Sequence, residues 1–260
     1  MNSAPSWLRR HRAGIVLAAI FLTGLALRIW GVAAPWQRID DPPYAKQIYA
    51  VFQGYYSPDP LLFYPMFFAY IGGFLLKAAA WIAPALGLYP GPRPMDFTMD
   101  QVLLISRLLS AFMGSLTILV VYKTGKRLFS EAMGLAAAAL FSLSFVHILY
   151  SHQIVLDVPM TLFYALALYF SVRVYQEGRW GAYLAAGFFA GLATATKYNA
   201  VFVVLSILAA HVAVKRRSTK SVLRILFDPK ILAAAGMSLA GFIAGHPYAL
   251  LWARSFVQST

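Results

Sequence analysis

The sequence predicts an all-α, polytopic membrane protein of about seven transmembrane helices, with interfacial helices in a long first outer loop. Three observations carry this. Of the 260 residues, 60% are hydrophobic and 12% charged, against about 45–50% and about 25% in a soluble globular domain. Apolar runs of roughly twenty residues recur, each long enough to cross a hydrocarbon core of about 30 Å at about 1.5 Å per residue. The few charges gather between those runs, and basic and acidic connections fall on different sides of the chain's path.

The first run, 13–34, follows Arg9-Arg10-His11-Arg12. It is longer than the apolar core of a signal peptide, and Pro35 directly follows Ala33-Ala34, so it reads as a retained signal-anchor helix. Six further runs are expected to span, at 101–122, 132–150, 158–175, 181–196, 199–214 and 231–250. Segment 61–86 is apolar but interrupted by Pro65, Gly72-Gly73, Lys77 and Pro84, and charge decides its placement. If it does not cross, one side holds Arg9, Arg10, Arg12, Lys123, Lys126, Arg127, Arg173, Arg179, Lys215, Arg216, Arg217, Lys220, Arg224 and Lys230, most of the 22 basic residues. Asp40, Asp41, Asp59, Asp96, Asp100 and Asp157, most of the nine acids, then lie on the other. If it crosses, every later basic connection moves outside, against the positive-inside rule. The non-crossing arrangement is therefore predicted, with the N-terminus cytoplasmic and the last helix ending outside.

The outer loop, 35–100, has structure of its own. After Asp41 and Pro42-Pro43, apolar residues at Ala45, Ile48, Tyr49, Phe52, Tyr55 and Tyr56 keep helical spacing, as in a helix lying in the membrane interface. Segment 61–77 is rich in aromatic residues and is expected at the same interface. No internal repeat, low-complexity tract or soluble domain is visible, so 1–260 reads as a single transmembrane module.

The net charge of +13 is accounted for by topology, and no nucleic-acid-binding pattern accompanies it. The absence of cysteine excludes a disulfide framework, a thiol nucleophile and a thiolate metal site.

Chemistry is expected at the outer interface. Asp40-Asp41 follow the first helix and Asp157 opens the fourth. A carboxylate there can take a proton from an acceptor hydroxyl or hold a divalent cation against a phosphate. The competing reading is local: Asp41 before Pro42-Pro43 and Asp157 before Val158-Pro159 both look like helix N-caps. Arg28 and Arg107 lie near the outer ends of apolar runs. A buried ionisable group there is a functional candidate, suited to a lipid phosphate, or else it snorkels to the interface. Arg38, Lys46, Lys77 and Lys197 are the other basic residues of this side. His147, His152 and Asp157 turn by about 140° per five-residue step on one helix and share no face. An interfacial hydrogen bond is the expected role of His152, and a metal triad is not.

These residues also resemble a family. The run Arg38-Ile39-Asp40-Asp41-Pro42-Pro43-Tyr44-Ala45 resembles the acidic-pair loop of GT-C membrane glycosyltransferases, in particular the protein O-mannosyltransferase and aminoarabinose-transferase branch. Four stretches agree in order: Arg107-Leu108-Leu109-Ser110; Tyr150-Ser151-His152 leading to Leu156-Asp157-Val158-Pro159; Ala195-Thr196-Lys197-Tyr198; and His246-Pro247-Tyr248-Ala249-Leu250-Leu251. The resemblance implies a GT-C-like fold and inverting transfer of a hexosyl or pentosyl unit from a polyprenyl-phosphate carrier to a lipid, glycan or protein acceptor. The site would face outward from a bacterial or archaeal cell membrane. By position, Asp40 matches the leading catalytic acid, Asp41 its neighbour (often Glu in the family), and Asp157 the second outer acid. Arg107 and Lys197 are the candidates for the lipid phosphate, with Arg38, Tyr64 and His152 nearby; some members carry Lys where Tyr64 stands here. A divalent cation held by Asp40 and Asp157 is the alternative to base catalysis, and no other cofactor is implied. Family members are usually longer, so the chain is expected to correspond to their N-terminal part. The rival readings are a transporter or flippase for a lipid-linked substrate and a non-catalytic membrane subunit. Transporters commonly place charges at the midplane within inverted repeats, unlike the arrangement here.

Overall fold

A computed structural model describes residues 6–33, 41–57, 65–91, 94–216 and 221–251, and every regular element among them is helical. In order these are α1 (Ser6–Ile29), α2 (Asp41–Gln53), α3 (Phe67–Ala85), α4 (Met99–Leu128), α5 (Glu131–Ser142), α6 (Phe145–Ser151), α7 (Asp157–Glu177) and α8 (Trp180–Thr196). A 3₁₀ turn (Tyr198–Val203) runs into α9 (Val204–Lys215), followed by α10 (Val222–Leu226), α11 (Pro229–Gly245) and α12 (Tyr248–Leu251).

Local chemistry sets the boundaries. Thr98 and Gln101 form a reciprocal capping box that starts α4. The Ser130 hydroxyl accepts from the Met133 amide to start α5. Asp228 caps α11, whose first residue is Pro229. At the end of α7, Gly178 takes the left-handed conformation at φ 60°.

By length and composition, five described helical segments can cross a membrane: 12–29, α3, α4, α7 and 198–215; the bent pair α5–α6 makes six. The expected list of about seven differs in three ways. Run 132–150 is two helices meeting at 58°. Helices α8 and α11 have 17 residues each, about 26 Å. Helix α3 joins the candidates, although segment 61–86 was expected not to span.

Contacts between connections define two ends of the bundle. At one, Arg127 pairs with Glu177, Lys126 with Glu131, Lys215 with Asp228, and Lys230 donates to the Gly178 carbonyl. At the other, the starts of α2, α4 and α7 meet the ends of α1, α8 and α11. Helix α3 meets this second end at its first residue and again at Ala80. Phe67 stacks on Phe163 and faces Gly245, and the Ala80 carbonyl accepts from the Met95 amide just before α4. It packs on α2, with Gly72 and Gly73 against Ile48 and Val51.

Two features hold the rest. Gly187 and Gly191 of α8 press against the backbone of Ala234, Ser238 and Gly241 in α11, and Gly241 and Gly245 against Phe188 and Ala195 in return. This small-residue seam lets two backbones approach. At the α5–α6 break, the buried Arg28 of α1 donates to the carbonyls of Phe141 and Ser142, at 3.4 and 3.1 Å, and to His147 Nδ1 at 3.2 Å. It also donates to the Gly24 carbonyl at 2.9 Å. Carbonyls at a break must be satisfied inside a membrane protein; Phe141 also accepts from the Ser144 amide, and Arg28 serves the Ser142 carbonyl. It neither snorkels nor lies open to a lipid headgroup.

Candidate functional site

Asp41 opens α2 and is fully buried. Its Oδ2 accepts from Arg107 Nη2 at 2.7 Å and Nε at 3.2 Å, and its Oδ1 accepts from the Ile154 amide at 2.8 Å. Arg107, in the third turn of α4, also donates from Nη1 to the Val32 carbonyl at 3.2 Å. One carboxylate thereby joins the chain after α1, the start of α2, α4 and the α6–α7 connection. The capping reading for Asp41 gives way to this clamp. Pro43 lacks one of the amide hydrogens that a capping carboxylate would accept, and both carboxylate oxygens accept from other segments.

Asp157 also departs from the capping reading. The N-cap of α7 is Leu156, with no side-chain capping bond. The Asp157 carboxylate instead meets Lys197 Nζ at 2.8 Å, and both side chains keep partial exposure, 39% and 26%. Lys197 sits where α8 gives way to the 3₁₀ turn, so this pair links the start of α7 to the end of α8. Two residues separate Ile154, which holds Asp41, from Asp157. In the same connection His152 donates from Nε2 to the Leu27 carbonyl at 3.0 Å, the hydrogen-bonding role expected of it.

Asp41, Arg107, His152, Asp157 and Lys197 therefore belong to one end of the bundle, drawn from five separate segments. Arg38, Asp40 and Tyr64 lie outside the described residues. Among the described residues no three metal-ligating side chains converge, and Asp157 is already met by the Lys197 ammonium. Arg107 directs three of its guanidinium nitrogens to Asp41 and Val32, which makes it first a holder of the clamp.

The outer loop adds groups that spacing did not single out. Tyr49 donates to Asp96 at 3.2 Å, and burial together with this carboxylate raises the phenol above its ordinary range. Lys77 Nζ donates to the Tyr56 hydroxyl at 2.5 Å and lies over the Tyr56 and Phe74 rings. Beside them a cavity of about 480 Å³ is lined by Tyr56, Phe67, Tyr70, Phe74, Pro247 and Tyr248, among others. His246 Nδ1 accepts from the Met66 amide at 3.4 Å, fastening the start of α3 to the end of α11. A histidine directly before a proline was the available signal for that contact; nothing local marked Ile154 or Val32, which act through the backbone.

Residues 97–243, more than half of the chain, match the family model described as dolichyl-phosphate-mannose-protein mannosyltransferase. Among curated proteins, none matches by sequence. Among solved structures, the chain is similar to one of the S. cerevisiae protein O-mannosyltransferase Pmt1–Pmt2 complex bound to the sugar donor. The TM-score is 0.64 and the sequence identity 21%, over 94% of this chain and 34% of that one. The likeness is one of fold, and the chain spans about a third of that protein's length.

Proposed function

The chain belongs to the dolichyl-phosphate-mannose-protein mannosyltransferase family, and from that premise we propose that it forms the membrane part of a glycosyltransferase. In this reading it moves a sugar, with inversion, from a polyprenyl-phosphate carrier to an acceptor hydroxyl at the end of the bundle that carries Asp41 and Asp157. That end faces outward, and the N-terminus is cytoplasmic. The module is taken as a single unit over 1–260, with the α2–α3 layer as its outer cover.

The supporting observation is the clamp on Asp41. Three hydrogen bonds hold the Asp41 carboxylate, two of them from Arg107, and the residue that precedes it in the sequence is Asp40. In the transfer, the acceptor oxygen forms a bond to the anomeric carbon as the bond to the carrier phosphate breaks. The electron pair leaves with the phosphate, and the acceptor proton passes to a carboxylate. Asp40 is assigned as that base. Asp41 and Arg107 form the clamp that follows it in the sequence, and Arg107 adds positive charge to the site. Lys197, the more exposed cation, is assigned to the leaving phosphate, with Asp157 setting its position and His152 in the neighbouring connection; Arg38 and Tyr64 are assigned to the phosphate on sequence grounds alone.

The test is Asp40→Asn in the full chain, assayed for transfer from a polyprenyl-phosphate sugar. Loss of a general base is expected to lower the rate by about 10²–10⁴-fold while the melting midpoint stays unchanged. Full activity in the variant would sink the assignment. Donor binding without transfer by the unsubstituted chain would favour a non-catalytic subunit.

A further inference from the structure

At the opposite end of the bundle from the candidate site, the connection between α9 and α11 has a construction of its own. Its short helix α10 buries Ile225 against the bundle. Val222, Leu223, Leu226 and Phe227 are all exposed, Leu223 and Phe227 at 68%. On a helical wheel these four positions cover an arc of about 140°, with Ile225 on the far side and Arg224 between. A contiguous apolar face of this kind marks a binding surface.

The face is held rigidly. The ring of His211 in α9 is buried; its Nε2 donates to the Ile225 carbonyl at 3.0 Å, and Nδ1 accepts from the Tyr183 hydroxyl of α8 at 2.7 Å. Asp228 pairs with Lys215 and accepts from the Lys230 amide at 3.0 Å, closing the connection at its other end. The apolar residues are thus presented outward by a buried histidine and a capped ion pair.

The charge around the face names its occupant. Arg224 in α10 and Arg216 just after α9 are exposed, and the sequence adds Arg217 and Lys220 to the same connection. The other connections of this end carry Lys123, Lys126, Arg127, Arg173, Arg179 and Lys230. Exposed apolar side chains flanked by basic ones fit the acyl–headgroup boundary of an anionic leaflet. We propose that the α9–α11 connection is an interfacial anchor that binds anionic phospholipid, seating Leu223 and Phe227 among the acyl chains and Arg216 and Arg224 on the phosphates. This proposal does not depend on the transferase reading.

The test is a lipid titration of the full chain in neutral detergent micelles, following the melting midpoint and lipid binding by native mass spectrometry. Phosphatidylglycerol is expected to raise the midpoint more than phosphatidylcholine, because a ligand that binds only the folded state stabilises it. With each basic residue contributing about fivefold in affinity, Arg216→Gln with Arg224→Gln should weaken phosphatidylglycerol binding by roughly 30-fold. The phosphatidylcholine response and the lipid-free midpoint should be retained. Leu223→Ser with Phe227→Ser should reduce the response to both lipids. An equal response to both lipids in the unsubstituted chain overturns the proposal, as does a phosphatidylglycerol response unchanged in the double arginine variant. So does a concentration-dependent dimer lost in the Leu223→Ser, Phe227→Ser variant, since a second copy would then cover the face.

Discussion

Removing the Arg107 guanidinium would leave the Asp41 carboxylate buried with one amide as its remaining described partner. Breaking a buried pair from one side is worth about 3–5 kcal/mol, so Arg107→Leu is expected to lower unfolding stability by that amount. Asp41→Asn combined with Arg107→Leu should lose less than the sum of the two single changes, which a double-mutant cycle in thermal unfolding measures. Asp228 offers a pH-dependent counterpart at the basic end. Burial raises its carboxyl, but the Lys215 ammonium and the Lys230 amide outweigh it and hold the group below its ordinary value. A depressed carboxyl contributes stability above its unfolded pKa, about 3.9, and loses it as the pH falls through the folded value. The melting midpoint of Asp228→Asn should therefore lie below that of the unsubstituted chain at pH 7, and the gap should close below pH about 4. At this scale the sequence identified the chemical types well. Asp41, Arg107, Asp157 and Lys197 were all singled out from charge and position. Their pairing was hidden, because the partners are 66 and 40 residues apart and no local pattern reports a long-range contact.

Helices were legible where hydropathy and caps agree. The expected 158–175, 181–196 and 199–214 fall within a few residues of α7, α8 and the 3₁₀–α9 segment. The division of 132–150 was not legible, because the stretch has no Pro and its one Gly, Gly134, lies far from Leu143-Ser144. The side chain that meets that break is Arg28, more than a hundred residues earlier. The α8–α11 seam escaped for the opposite reason: its glycines look like ordinary members of apolar runs until the two helices are set side by side. A Cβ at Gly191 would meet the backbone of Ser238, Gly241 and Phe242, and one at Gly187 that of Ala234. Backbone cannot rotate aside as a side chain can. Gly191→Ala is therefore expected to force the helices apart at about 1–3 kcal/mol, whereas Gly181→Ala, where nothing lies within 4 Å of an added Cβ, should be nearly neutral. Unfolding of both variants in the same detergent provides the comparison.

Across the whole molecule, the placement of α3 decides which surfaces share a side of the membrane. Its 19 apolar-rich residues are long enough to cross, yet Phe67 and Ala80 contact residues near the end of the bundle that carries Asp41 and Asp157. The positive-inside count gives the same arrangement independently, since a crossing here would invert every later basic connection. Because the chain has no cysteine, single cysteines report sidedness without background. Ser57 and Leu88 flank α3 and are exposed, and Phe129 is exposed in the α4–α5 connection at the basic end. In sealed vesicles or intact cells, a membrane-impermeant maleimide should label Ser57→Cys and Leu88→Cys from one side and Phe129→Cys from the other. Labelling of Ser57→Cys and Leu88→Cys from opposite sides would mean that α3 crosses. The Asp41–Arg107 clamp and Lys197 could then no longer share a compartment with both ends of the α2–α3 layer, and the proposed outer cover of the site would be lost with them.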